Sequence, residues 1–167
     1  MEVLVADNDK RVFQAFKDYE PDFQLEFGNP MAYDVDAVVS PANTLGIMNG
    51  GFDASIRRVL GTWAEVNARK AIDERGGIKI GEAIVVSTYH KKITKLIVAP
   101  TISHRGEMGG ETSFIYDVAF SAVTVAKEAG IKKLGMTSLG TGARGLNIYE
   151  TAVHQIEGIH DALYGKE

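Results

Sequence analysis

The sequence predicts an α/β sandwich built as one domain, and three observations predict it. Short apolar runs alternate with longer stretches whose apolar residues recur at helical spacing. Several of the short runs are continuous and apolar, which marks inner strands. Two glycine clusters each fall between such a run and a long helical stretch. The order reads strand, helix, two strands, helix, two strands, helix, strand, helix. No linker, repeat or low-complexity tract interrupts it, so residues 1–167 are taken as a single domain.

Val3-Leu4-Val5-Ala6 is the first inner strand, and Asp7-Asn8-Asp9 follows as a turn and helix-cap cluster. Val12, Phe16 and Tyr19 recur at helical spacing until Pro21. Phe23, Leu25 and Phe27 alternate with polar residues, a half-buried strand that ends at Gly28-Asn29-Pro30. Asp36 to Ser40 is the next buried strand, closed by Pro41, which has no N–H for a central ladder. After the first glycine cluster, Ile56, Leu60, Trp63, Asn67 and Ala71 fall on one helical stripe, and Trp63 and the phenylalanines read as core. Ala83 to Thr88 and Leu96 to Ala99 are two further strands, joined by a turn that holds His90. Phe114, Val118, Ala122, Val125 and Ala129 mark the next helix, and Lys133 to Ser138 leads as a strand into the second glycine cluster. Ile148, Ala152, Ile156, Ile159 and Leu163 define the last helix.

Composition excludes several functions. The 167 residues carry a net charge of -4, which argues against a surface built to grip duplex nucleic acid. The absence of cysteine removes disulfides, thiolate zinc sites and a catalytic thiol together. No signal-like start and no apolar run long enough for a bilayer are seen, so a cytoplasmic location with no membrane partner is expected. No His/Asp/Glu cluster has metal-ligand spacing and no nucleophile elbow occurs, so neither metal nor cofactor is expected.

The chemistry points to the glycine clusters. In an α/β sheet, strand-to-helix junctions lie at the carboxyl ends of strands, where ligands bind. Glycine lets backbone N–H groups approach an anion, and a following helix N-terminus adds unpaired N–H groups. Either cluster alone is equally well explained as a tight turn. Two in equivalent positions favour a ligand with two phosphates. Neither is a Walker loop, and no G-x-G-x-x-G opens the first strand–helix unit.

These residues resemble a known family. Asp36-Ala37-Val38-Val39-Ser40-Pro41-Ala42-Asn43 is similar to the macro-domain signature D-A-[IV]-V-N-A-A-N, and it is followed by a glycine-rich stretch ending in Gly50-Gly51-Phe52-Asp53. Gly81-Glu82-Ala83 resembles the family's G-[ED]-A, and Leu139 to Leu146 resembles its G-T-G-x-x-G-L loop. The resemblance runs from about Gly28 to the C-terminus in a consistent order of elements. It implies a three-layer α/β/α fold around a mixed, roughly six-stranded sheet, and a site for ADP-ribose or an ADP-ribosylated substrate.

By that resemblance, Asn43 contacts the distal ribose, although an asparagine can equally structure the turn after Pro41. Gly46, Ile47, Asn49, Gly50 and Gly51 wrap the distal ribose and diphosphate, with Met48 and Asn49 standing where the family has small residues. Ser138, Gly140, Thr141, Gly142, Ala143 and Arg144 form the second phosphate loop, with Arg144 in place of the usual aromatic. Asp53 matches the water-activating aspartate of hydrolytic members, and it is equally suited to capping a helix. Asn29 stands where the family reads adenine with an aspartate. His104 and Arg105 fall in a loop able to cover the ligand, although surface placement suits them as well. The functions left open are hydrolysis at the distal ribose, binding without chemistry, and a fold kept for protein assembly.

Overall fold

In the computed structural model, which describes residues 1–107, 111–141 and 146–166, six strands form one sheet. In chain order the elements are β1 (Glu2–Asp7), α1 (Lys10–Asp18), β2 (Gln24–Phe27), a short 3-10 turn (Pro30–Ala32), β3 (Ala37–Ser40), α2 (Gly51–Leu60), α3 (Thr62–Glu74), β4 (Ile84–Ser87), β5 (Lys95–Val98), α4 (Phe114–Glu128), β6 (Lys133–Met136) and α5 (Ile148–Tyr164). The sheet order is β2-β1-β6-β3-β5-β4. Every neighbouring pair is parallel except β4 with β5, so the sheet is mixed only at one edge. The carboxyl ends of the five parallel strands, at Asp7, Phe27, Ser40, Val98 and Met136, therefore share one edge of the sheet.

The strand sequences explain the layers. Side chains alternate across a strand, and both faces here are apolar. Val3 and Val5 of β1 join a core with Phe16 of α1, Val118 of α4 and Ile159 of α5. Leu4 and Ala6 of the same strand join Ile56 of α2, Ala68 and Ile72 of α3, and Met31 of the 3-10 turn. Helices thus cover both faces, the three-layer α/β/α arrangement expected.

One expectation is corrected. The stripe from Ile56 to Ala71 was expected to form one helix with Trp63 inside. Instead Gly61, with φ of 85°, separates α2 from α3 and resets the helical phase. After the break, Ala64, Ala68 and Ile72 face the sheet, and Trp63 is 64% exposed. The phenylalanines also divide: Phe16 and Phe114 are buried, whereas Phe27 on the edge strand β2 is exposed. Among the described residues, no helix is long and apolar enough to cross a membrane.

Candidate functional site

The first glycine turn links β3 to α2. Asn43 holds its start: its Oδ1 accepts from Leu45 N–H at 2.9 Å and Ile47 N–H at 3.2 Å. Both of the roles expected of this residue therefore have a physical basis, because the turn uses the oxygen and leaves Nδ2 with two protons to donate. Met48 is buried, and its N–H donates to Glu65 Oε2 of α3 at 2.5 Å. This contact clamps the middle of the turn from behind. Gly50 is the N-cap of α2 and contributes no side-chain bond. The first N–H groups of α2, starting at Gly51 and Phe52, have no partner within the helix, which makes this end attractive to an anion.

Asp53 sits in the first turn of α2 and is not the cap, so the capping alternative for it is overturned. Its side chain turns inward instead. Ser40, at the end of β3, donates its hydroxyl to Asp53 Oδ1 at 2.5 Å, and both residues are buried. Burial pushes the Asp53 carboxyl up to about 6; the Ser40 hydrogen bond opposes this and the nearby Glu65 charge adds to it.

The second glycine turn follows β6 and is braced from two sides. Ser138 N–H donates to Asp7 Oδ2 at 3.2 Å, which ties the turn to the carboxyl end of β1. Gln155 of α5 is fully buried; its Oε1 accepts from Leu139 N–H at 2.8 Å and its Nε2 donates to Thr137 O at 2.9 Å. Thr141 Oγ1 donates to Ser138 Oγ at 2.9 Å. Gly142, Ala143 and Arg144 lie outside the described residues.

Both turns open onto one cavity of about 770 Å3 along the carboxyl edge of the sheet. The structure brings Asn29, Asn43, Ile47, Asn49, Gly50, Gly51, Asp53, Ser138, Gly140 and Thr141 to its wall. Gly46 does not border it: its φ is 76°, and a Cβ there would come within 2.9 Å of Ile72 Cδ1. Nor do His104 and Arg105; His104 N–H instead donates to Thr44 Oγ1 at 2.9 Å, bracing the loop after β5 against the first turn. Asn29 caps the 3-10 turn through Oδ1, which accepts from Met31 N–H at 2.8 Å, and its Nδ2 donates to Ser55 Oγ at 2.9 Å. Its amide is thus already engaged in both directions.

Several cavity residues were not singled out from the sequence. Asp7 and Asn8 border it at the end of β1, where burial holds the Asp7 carboxyl above its ordinary value. The signal was available, since a polar cluster at the carboxyl end of an inner strand occupies the ligand edge of an α/β sheet. Arg58, one turn beyond Ser55 on α2, also borders the cavity and forms no ion pair among the described residues. Among the described residues no cluster of three His, Cys, Asp or Glu side chains could hold a metal.

A glycine-lined cavity at the carboxyl edge of a three-layer α/β/α sheet defines a class of nucleotide-binding folds. Within it, residues 39–154 match the profile of the Macro domain, and the chain belongs to that family. An uncharacterized protein of Aeropyrum pernix is 32% identical over 128 residues, covering 77% of this chain and 65% of its own length. A second, from Thermotoga maritima, is 30% identical over 112 residues, which span 67% of this chain but 19% of the relative. A macro domain-containing protein of Caldanaerobacter subterraneus is 25% identical over 83% of this chain and 79% of its own. Among solved structures, the macrodomain of Mycobacterium tuberculosis DarG superposes with a TM-score of 0.67 at 24% identity, covering 80% of this chain and 87% of that one. A variant Oceanobacillus iheyensis macrodomain solved with ADPR gives a TM-score of 0.69 at 17% identity, covering 79% of this chain and 73% of that one. At these identities the structural likeness establishes the fold.

Proposed function

We propose that this macro domain binds ADP-ribose, free or attached to a substrate, and hydrolyses the substrate at its distal ribose. The observation that carries the reading is the shared cavity: two glycine turns, a free helix N-terminus and a buried carboxylate all border one space. The diphosphate lies against the amides around Gly50–Gly51 and Gly140–Thr141, where the partial positive charge of α2 favours an anion. Asn43 Nδ2 donates to a ribose hydroxyl. Asp53 orients a water and accepts its proton as the water attacks the electrophilic atom at the distal ribose; the bond from that atom to the leaving group breaks, and the leaving group departs with the proton that Asp53 took up. A carboxyl that ionises at about 6 is mostly charged at neutral pH yet more basic than an ordinary carboxylate, which suits a general base. Positioning by the turns supplies the rest, and well-oriented reactants can save several kcal/mol of barrier. Suitable substrates are an ADP-ribosylated side chain or nucleic-acid end, O-acetyl-ADP-ribose and ADP-ribose-1″-phosphate. A cytoplasmic site of action fits these substrates.

Calorimetry with ADP-ribose, AMP and an unrelated nucleotide tests binding, and a product assay on each substrate tests turnover. ADP-ribose should give heat, and Asp53→Ala should keep that heat while losing at least a hundredfold in turnover. Unchanged turnover in Asp53→Ala would sink the assigned mechanism. Heat without product from any substrate would make the domain a binding module, and no heat with any nucleotide would point to a fold kept for assembly.

A further inference from the structure

We infer that Ser40 is a positioning residue for Asp53: its hydroxyl fixes one carboxylate oxygen, so that the other is presented to the cavity in its charged form. This deepens, and rests on, the reading of Asp53 as the residue that handles water. The geometry is specific. Ser40 closes β3, its side chain has no solvent exposure, and its Oγ lies 2.5 Å from Asp53 Oδ1. A fully buried hydroxyl must find a partner, and here that partner is a carboxylate thirteen residues further along the chain. The hydroxyl sits on a strand of the sheet, so it approaches from a rigid element rather than from the turn itself.

Asp53 Oδ2 takes no hydrogen bond from any described residue, and Asp53 borders the cavity. No fully buried side-chain oxygen lacks a partner among the described residues, so this second oxygen keeps some exposure, on a residue that lines the cavity. The two oxygens therefore have different tasks: one is anchored to the sheet, and one faces the ligand space.

The electrostatics explain why a donor is needed. Burial disfavours the charged carboxylate, and Glu65 on α3, fixed by its bond to Met48 N–H, adds a like charge. Ser40 is the group that acts in the opposite direction, because a hydrogen bond to the charged form favours it. Among the described residues, Asp7, Asp9 and Arg58 are the other charged ones bordering the cavity. The turn is thus clamped by one carboxylate whose charge works against Asp53, and Ser40 offsets that effect.

The test follows Asp53 itself, independently of turnover. Carbon-detected NMR of carboxyl-labelled aspartate, with the Asp53 resonance assigned by its loss in Asp53→Asn, gives its titration in the wild type, in Ser40→Ala and in Ser40→Thr. Ser40→Ala should move the Asp53 midpoint up by about one pH unit, and Ser40→Thr, which keeps the hydroxyl, should restore it. In the hydrolysis assay, Ser40→Ala should shift the acid limb of kcat/KM upward by the same amount. Turnover should be about threefold lower at pH 6.5, approach tenfold lower below about pH 5, and return close to wild type above pH 8. ADP-ribose affinity should stay within about threefold. An unmoved Asp53 midpoint in Ser40→Ala overturns the inference, as does a uniform loss of rate at all pH values. A wild-type chain that binds no ADP-ribose overturns the functional reading instead, while the NMR titration still decides the role of Ser40.

Discussion

The two glycine turns look alike in sequence and differ in what surrounds them. At Gly140 in the second turn, φ is 80° and an added Cβ would come within 2.8 Å of Leu146 Cδ1 and 2.9 Å of Ile115 Cδ1. At Gly50 and Gly51 in the first turn, an added Cβ would meet nothing within 4 Å. Gly140 needs glycine because the protein fills the space beside it, as it does at Gly46, whereas Gly51 needs it for its φ of 55°. Gly50 has neither requirement, so glycine there is explained by the cavity it borders.

That contrast can be broken most directly at Gly50. Its φ of -154° is extended backbone open to any residue. Gly50→Val should leave stability within about 1 kcal/mol while weakening ADP-ribose binding roughly a hundredfold, or about 3 kcal/mol. Thermal melting and calorimetry on the same sample check both halves. Undisturbed binding would mean that the open side of Gly50 faces bulk water rather than ligand. The converse experiment is Gly140→Ala, where the methyl must displace two core side chains in a backbone conformation that disfavours it. A loss of about 2–3 kcal/mol in denaturant unfolding is expected. A loss below about 0.5 kcal/mol would remove the contrast.

The first turn has a second feature that stability alone does not explain, and it sharpens the same divide. The Asp53 carboxyl ionises at about 6 when folded, above its ordinary 3.8, so its neutral form suits the fold and its charged form does not. The stability tied to its proton is complete below about pH 4 and is lost as pH rises through about 6. Asn in its place keeps the neutral form at every pH. Asp53→Asn should therefore stabilise the chain by on the order of 2 kcal/mol at pH 8, with the gain shrinking towards zero near pH 4. Denaturation at the two pH values measures it, and a pH-independent change would count against a strained carboxylate.

Most of the architecture was legible because apolar runs report burial directly. The six strands could be placed from runs such as Val3-Leu4-Val5-Ala6, and the cavity edge followed from where those runs end. The break at Gly61 was not legible: Leu60 and Trp63 are spaced as helix neighbours, and only the positive φ of Gly61 puts them in different helices. In the sequence Asp7 reads only as part of a cap cluster, and Gln155 does not read as a site residue, for a related reason. Each matters through a partner more than ten residues away, Ser138 for the one and Leu139 for the other, and local pattern carries no trace of such pairing. The family motif brought Asp53 forward but gave no hint of its tie to Ser40, since a serine that ends a buried strand usually signals only the turn to come.

The place of β1 in the sheet has a consequence for how the chain acquires its shape. β1 lies between β2 and β6, and Glu2 pairs with Lys133 across about 130 positions of sequence. Contacts that distant close late, because the loop entropy must be met before the strands reward it. On a ribosome, β1 is made about 130 residues before its inner neighbour β6 exists. The binding edge, which draws Asp7 from the earliest strand and Ser138 from just after the latest, comes into being only when the two are brought together.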